Sequence, residues 1–129
     1  MDEIDRKQLY NTAWKHWGAD AQVDMLIEEM AELTHALIAA RRNNTFYTYA
    51  VSEEMADVLI CLEQFQIRMK DFPTTCTKGD KIEIVGCIYD QVERIKEAKL
   101  LRLKERLMES ICQKHDLEDV ANSVFDKVR

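Results

Sequence analysis

Glycine and proline are nearly missing from this chain. Three glycines and one proline among 129 residues make about 3%, where average usage gives about 12%. Sandwiches and barrels need frequent turns, and crossover-linked α/β sheets need glycine-rich connections, so neither is expected. Long apolar runs are missing too. The longest, Val58 to Leu62, is far too short to span a bilayer. The first residues, Met1-Asp2-Glu3-Ile4-Asp5-Arg6, are charged and lack the apolar stretch of an export signal. Four cysteines (Cys61, Cys76, Cys87, Cys112) form no CxxC pair and no zinc spacing, and are expected to be free thiols in a cytoplasmic protein. Excess positive charge is also lacking. A formal net charge of −6 argues against general nucleic-acid or anionic-membrane binding, and allows a metal cation.

What remains is 47% hydrophobic and 33% charged, the composition of amphipathic helices. A first helix is expected from Asp2 or Asp5 to Trp17, with Gly18 as its stop. A second runs from near Asp20 to Arg42, with Val23, Ile27, Met30, Thr34 and Leu37-Ile38 as its apolar stripe. Asn43-Asn44-Thr45 is a turn. A third helix, capped by Ser52, runs to about Lys70. Asp71 to Asp80 holds the only proline and reads as a loop. Lys81 to Lys114 reads as helix, with a register shift near Lys96 to Lys99, and Asp116 caps a short final helix. The expectation is an all-α, antiparallel, four-helix-bundle-like single domain over 1–129, with 112–129 as a C-terminal helix. Long amphipathic helices in a chain of 15.1 kDa suggest completion by oligomerisation, as a homodimer or homotetramer.

One segment echoes another. Glu28-Glu29-Met30-Ala31-Glu32-Leu33 returns 25 residues later as Glu53-Glu54-Met55-Ala56-Asp57-Val58, identical at four of six positions. Each copy sets two carboxylates at i, i+3, on one helix face and about 5–6 Å apart at Cβ. Two such helices packed antiparallel bring four carboxylates into one cluster, the oxygen-rich site that Mg²⁺ or Mn²⁺ prefers. In a chain with 13 Glu and 11 Asp, such pairs also arise as solvated helix faces. Helical-wheel position separates the two readings. At about 100° per residue, Glu54 falls about 40° from Val58, within the apolar stripe of its helix. A carboxylate there is costly unless paired or metal-bound. Glu29 and Asp57 fall at stripe edges, and Glu28 and Glu53 are the most easily explained by solvent.

The arrangement Glu29-x-x-Glu32, 21 intervening residues, then Glu54-x-x-Asp57 resembles the signature of the MazG-like all-α nucleoside triphosphate pyrophosphohydrolases, a group that includes dimeric dUTPases and dCTPases. The resemblance covers Val23 to Phe65, about a third of the chain. It implies Glu29, Glu32, Glu54 and Asp57 as ligands of Mg²⁺ (or Mn²⁺). It also implies hydrolysis of a (deoxy)nucleoside triphosphate to a monophosphate and pyrophosphate, as nucleotide-pool house-cleaning. Glu28, beside the motif, is the position for a general base. Lys99-x-x-Arg102 and Arg106 resemble the family's downstream basic segment and would hold phosphates. Their alternative is a solvated face pairing with Glu97, Glu105 and Glu109. Trp14 and Trp17 are positioned to stack on a base or to pack in the core. His35 makes Glu-x-x-His with Glu32, but neither His16 nor His115 completes the second copy that a di-iron bundle needs.

Two other functions fit the same composition. One is a non-catalytic helical interaction or regulatory module whose acidic faces serve solubility. The other keeps the fold and binds nucleotides without cleaving them.

Overall fold

A computed structural model describes residues 1–45 and 48–128. Four helices and one two-stranded sheet follow in order: α1 (Glu3–Trp17), α2 (Ala19–Arg42), α3 (Tyr49–Met69), β1 (Pro73–Lys78), β2 (Lys81–Cys87) and α4 (Ile88–Val128). The expected predominance of helix is present, and the hairpin is an addition to it. No described helix is long and apolar enough to cross a membrane. Contacts gather in two compact units, Met1–Tyr89 and the remainder of α4 from Asp90.

In the first unit, side chains cap the starts of α1 and α3, whereas α2 starts at Gly18 without a side-chain cap. Asp2 caps α1 by accepting from the Asp5 N–H at 2.8 Å, which satisfies one of the orphan donors of a helix start. At the other end Gly18, with φ 87°, donates its N–H to the Trp14 carbonyl at 3.0 Å. The left-handed backbone there suits glycine, and it lets α2 begin one residue later. Asn43 closes α2, and Asn44 turns the chain with φ 53°. Thr48, not Ser52, caps α3 by accepting from the Val51 N–H. The earlier start carries Glu53 and Glu54 past the first helical turn, where the helix dipole no longer favours their charge.

α1 packs on both α2 and α3, and α2 packs along α3. Buried residues are few: Tyr10 and Trp14 on α1, Leu26 and Ala40 on α2, Val51 and Val58 on α3. Trp14 is therefore a core residue, tilted against Phe65 with ring centroids 6.2 Å apart and covered by the Arg68 guanidinium at 5.6 Å. The face that α2 packs also differs from the expected one. Buried or half-buried positions are Gln22, Val23, Leu26, Glu29, Leu33, Ala36 and Ala40, which from Gln22 on recur at spacings of four and three, with Val23 of the expected stripe beside them. The expected stripe is mostly open, with Ile27 at 55% and Met30 at 44% exposure. α2 carries two apolar faces, and the internal partners take the one that includes Glu29.

Tyr10 donates its hydroxyl to Glu63 Oε2 at 2.7 Å, tying α1 to α3. Burial, followed by this bond and the Glu63 charge, pushes its pKa up to about 12. The folded state thus keeps a proton that the unfolded chain releases near its ordinary value of 10.0. The sign follows from linkage: the contribution is whole below about 10 and is lost as pH rises toward about 12. In Tyr10→Phe this alkaline loss should vanish, at a cost of about 0.5–1.5 kcal/mol at neutral pH for the missing bond. Parallel denaturant titrations of both proteins at neutral and alkaline pH check it, and equal alkaline losses would refute the assignment.

Lys81 to Cys87, expected as helix, is a strand. Its Lys81-Ile82-Glu83-Ile84 alternates polar and apolar residues with period two, and Gly79, at φ 61°, forms the first position of a two-residue hairpin loop between Lys78 and Lys81. A register shift interrupts the pairing between Thr74 and Thr75. In the second unit, α4 continues without the break expected near Asp116. Along it Leu100, Leu103, Leu107, Ile111 and Phe125 are exposed.

Candidate functional site

Glu29 on α2 and Glu54 and Asp57 on α3 meet. One carboxylate oxygen from each lies within 4.8 Å of the others. The packing of α2 along α3 brings them together: Glu29 belongs to the seam that contains Leu26 and Leu33, and Glu54 sits between Val51 and Val58. All three are half-buried. Glu29 Oε2 and Glu54 Oε2 are out of solvent and have no hydrogen-bond partner. Orphaned oxygens of this kind are rare in folded proteins and call for an acceptor's counterpart, either a proton donor or a cation.

The electrostatics follow from the geometry. Burial raises the Glu29 pKa, helped by the charges of Asp57, Glu32 and Glu28. Burial also raises that of Glu54, followed by the Glu32 charge, a hydrogen bond with Glu32, and the charges of Asp57 and Glu29. Cys61, one turn beyond Asp57, has its thiol pushed up by burial and by the same carboxylates. It is therefore no activated nucleophile. Glu32, the fourth expected ligand, is exposed and outside the tight triad, but it stands beside Glu54. Glu28 is exposed on the outer side of Glu29.

A cavity of about 560 Å³ adjoins the cluster, with Glu32 and Glu54 in its wall. Its floor is alanine: Ala31, Ala36, Ala39, Ala40 and Ala50. His35, Asn43, Thr45 and Thr48 place polar groups around it. Spacing of charged residues alone does not reveal this cavity. Its signal in the sequence is the run of small residues on the inner face of α2, which keeps the two helices from filling the space between them.

No known family model, curated protein or solved structure matches this chain.

The remaining expected site residues lie elsewhere. Trp17, at the end of α1, is 63% exposed, rests edge-on against His16 and does not line the cavity beside the acids. Lys99, Arg102 and Arg106 are exposed on α4 in the second unit. Lys99 borders a shallow groove with Val92, Ile95 and Leu100 on that helix. All four cysteines are free.

The donor set suits a hard divalent cation. Three carboxylates form the cluster, two of their oxygens lack a hydrogen-bond partner, and their mutual repulsion is what a dication would relieve. Glu29, Glu54 and Asp57 would hold it, with Glu32 within reach of joining.

Proposed function

We propose that the chain is a Mg²⁺- or Mn²⁺-dependent nucleoside triphosphate pyrophosphohydrolase of the MazG-like type. The observation that carries this reading is the convergence of Glu29, Glu54 and Asp57 with two buried, partnerless oxygens. When bound, a divalent ion supplies neutralisation of phosphate oxygens and a lower pKa for attacking water. The chain's own contribution is placement. Helices α2 and α3 hold the carboxylates on a rigid seam, without a glycine-rich loop. Glu28, beside Glu29 in the sequence, is the proposed acceptor of a proton from water. The alanine-floored cavity has a volume typical of small-molecule sites, and His35, Asn43, Thr45 and Thr48 offer hydrogen bonds to a nucleoside. Lys99, Arg102 and Arg106 are the proposed phosphate cations, and Trp17 a stacking surface.

We also infer assembly into a homodimer or homotetramer that completes a four-helix-like bundle. Support comes from the second apolar face of α2 and from exposed Met55, Leu59 and Ile60 on α3. Among the described residues six hydrophobic side chains are buried, a small core for the chain's length.

The direct test is a panel of canonical and modified nucleoside triphosphates with Mg²⁺ or Mn²⁺, read by pyrophosphate release. At least one should be turned over, and activity should vanish with chelator. No turnover of any member, with no metal-dependent rise in melting temperature, would favour the interaction-module reading to which the exposed face of α4 lends support.

A further inference from the structure

The chain is acidic overall, yet one cleft is not. A cavity of about 590 Å³ lies between α1 and α3, with Tyr89 also in its lining. It shares no lining residue with the cavity beside the carboxylates. On α3, Glu63 and Gln66 of this cleft are turned roughly 120–180° from Glu54. Five cations line it against three carboxylates, so its local charge is opposite to that of the whole chain.

The pairings show which cations are spent. Arg6 reaches Glu63 at 3.7 Å, and Glu63 also takes the Tyr10 hydroxyl. Lys70 rests over the Tyr89 ring, 4.7 Å from its centroid. Lys7 and Lys15, both exposed on α1, form no ion pair among the described residues. Arg68 is the informative member. Its ion pair among the described residues is a long one, 3.6 Å to Asp71, and its Nε is buried without a hydrogen-bond partner. Stacked on buried Trp14, this guanidinium is held in place while a donor goes unused. A guanidinium held on Trp14 and two ammonium groups without ion pairs among the described residues line the same cleft, and groups of this kind fit the oxygens of a phosphate.

We propose that this cleft binds a phosphate-bearing small molecule with an apolar or aromatic body, through Lys7, Lys15 and Arg68. Phosphate alone is too small for the volume, and Ile67, Tyr10 and Tyr89 give the rest of the lining an apolar character. The site uses no metal and stands independently of the carboxylate cluster.

The test is thermal denaturation and calorimetry in EDTA, with AMP and inorganic phosphate as probes and sodium chloride at equal ionic strength as control. AMP should raise the melting temperature with concentration and bind more tightly than inorganic phosphate. Its affinity should fall at least about tenfold in Lys7→Gln/Lys15→Gln, a change of about 1.4 kcal/mol. Arg68→Gln should act in the same direction, and the exposed double-lysine variant carries the test if loss of Arg68 disturbs Trp14. Asp57→Asn should bind AMP as the parent does. An AMP response no larger than that to sodium chloride, or one unchanged in the double-lysine variant, would overturn the site. Equal binding of inorganic phosphate would overturn the assigned organic body. Loss of binding in Asp57→Asn would move the ligand to the carboxylate cluster. Because metal is absent throughout, none of these results depends on pyrophosphohydrolase activity.

Discussion

Glu54→Gln is expected to abolish metal-dependent pyrophosphate release, by at least about 100-fold, and at the same time to stabilise the metal-free fold. Perturbing groups that merely orient metal ligands costs about 10–100-fold, and a direct ligand should cost no less. The stability gain has a separate cause. Burial and the neighbouring Glu32, Asp57 and Glu29 raise the pKa of Glu54, so at neutral pH its ionised form favours the unfolded chain. By linkage, metal-free parent protein gains stability as pH falls through the raised value, and the gain is complete below the ordinary 4.5. A neutral amide of the same shape removes that repulsion at every pH. Melting temperature in EDTA across pH 4 to 8 should therefore show a higher and flatter curve for the variant. Added Mg²⁺ should raise the parent's melting temperature and leave the variant's nearly unchanged. Glu53→Gln, on the exposed side of the same helix, is the control and should change neither property. Turnover that survives Glu54→Gln would remove the cluster from the chemistry.

Leu37→Gln/Ile38→Gln should dissociate the proposed homodimer or homotetramer without unfolding the helices. Both side chains belong to the more open face of α2, Leu37 at 39% and Ile38 at 48% exposure. Burial of an aliphatic side chain contributes about 1.5–3 kcal/mol, and in a two-fold interface each position counts on both subunits. The dissociation constant should rise at least about 100-fold, allowing for imperfect conversion of area into affinity. Sedimentation velocity over a concentration series measures it, and circular dichroism checks that helicity is kept. An unchanged sedimentation profile would place the interface elsewhere, with the stripe of α4 as the next surface to alter.

Helix content and three helix boundaries were legible because their signals are local. Asp2, Gly18 and the Asn43-Asn44 pair act on backbone groups within one turn. The convergence of Glu29 with Glu54 and Asp57 was legible because an i, i+3 pair needs only a second helix beside it. Less legible was which face of α2 would be inside. Two apolar stripes share that helix, and the choice depends on what α1 and α3 present, which no window of α2 contains. The hairpin escaped because Val85, Ile88, Val92 and Ile95 keep a helical register across the boundary at Ile88, masking the shorter alternation of Ile82 and Ile84. The cationic cleft was the least visible. Lys7, Lys15 and Arg68 are separated by 8 and 53 positions, and only the packing of α1 on α3 makes them neighbours.

The hairpin has a consequence for handling the protein. Among the described residues the sheet has two strands, so each strand shows one side without a pairing partner there. Ile82 and Ile84 are more than 70% exposed, in a segment of high strand propensity. Such edges are templates for adding strands from other molecules. Lys78, Lys81 and Glu83 stand among those isoleucines as charged gatekeepers, Lys78 reaching Glu83 at 3.6 Å, and the irregular pairing near Thr74 bends the edge away from flatness. At this edge charged side chains, and not burial, are what oppose strand addition. High salt, or removal of Lys81 and Glu83, should therefore turn this segment fibrillogenic before any helix melts.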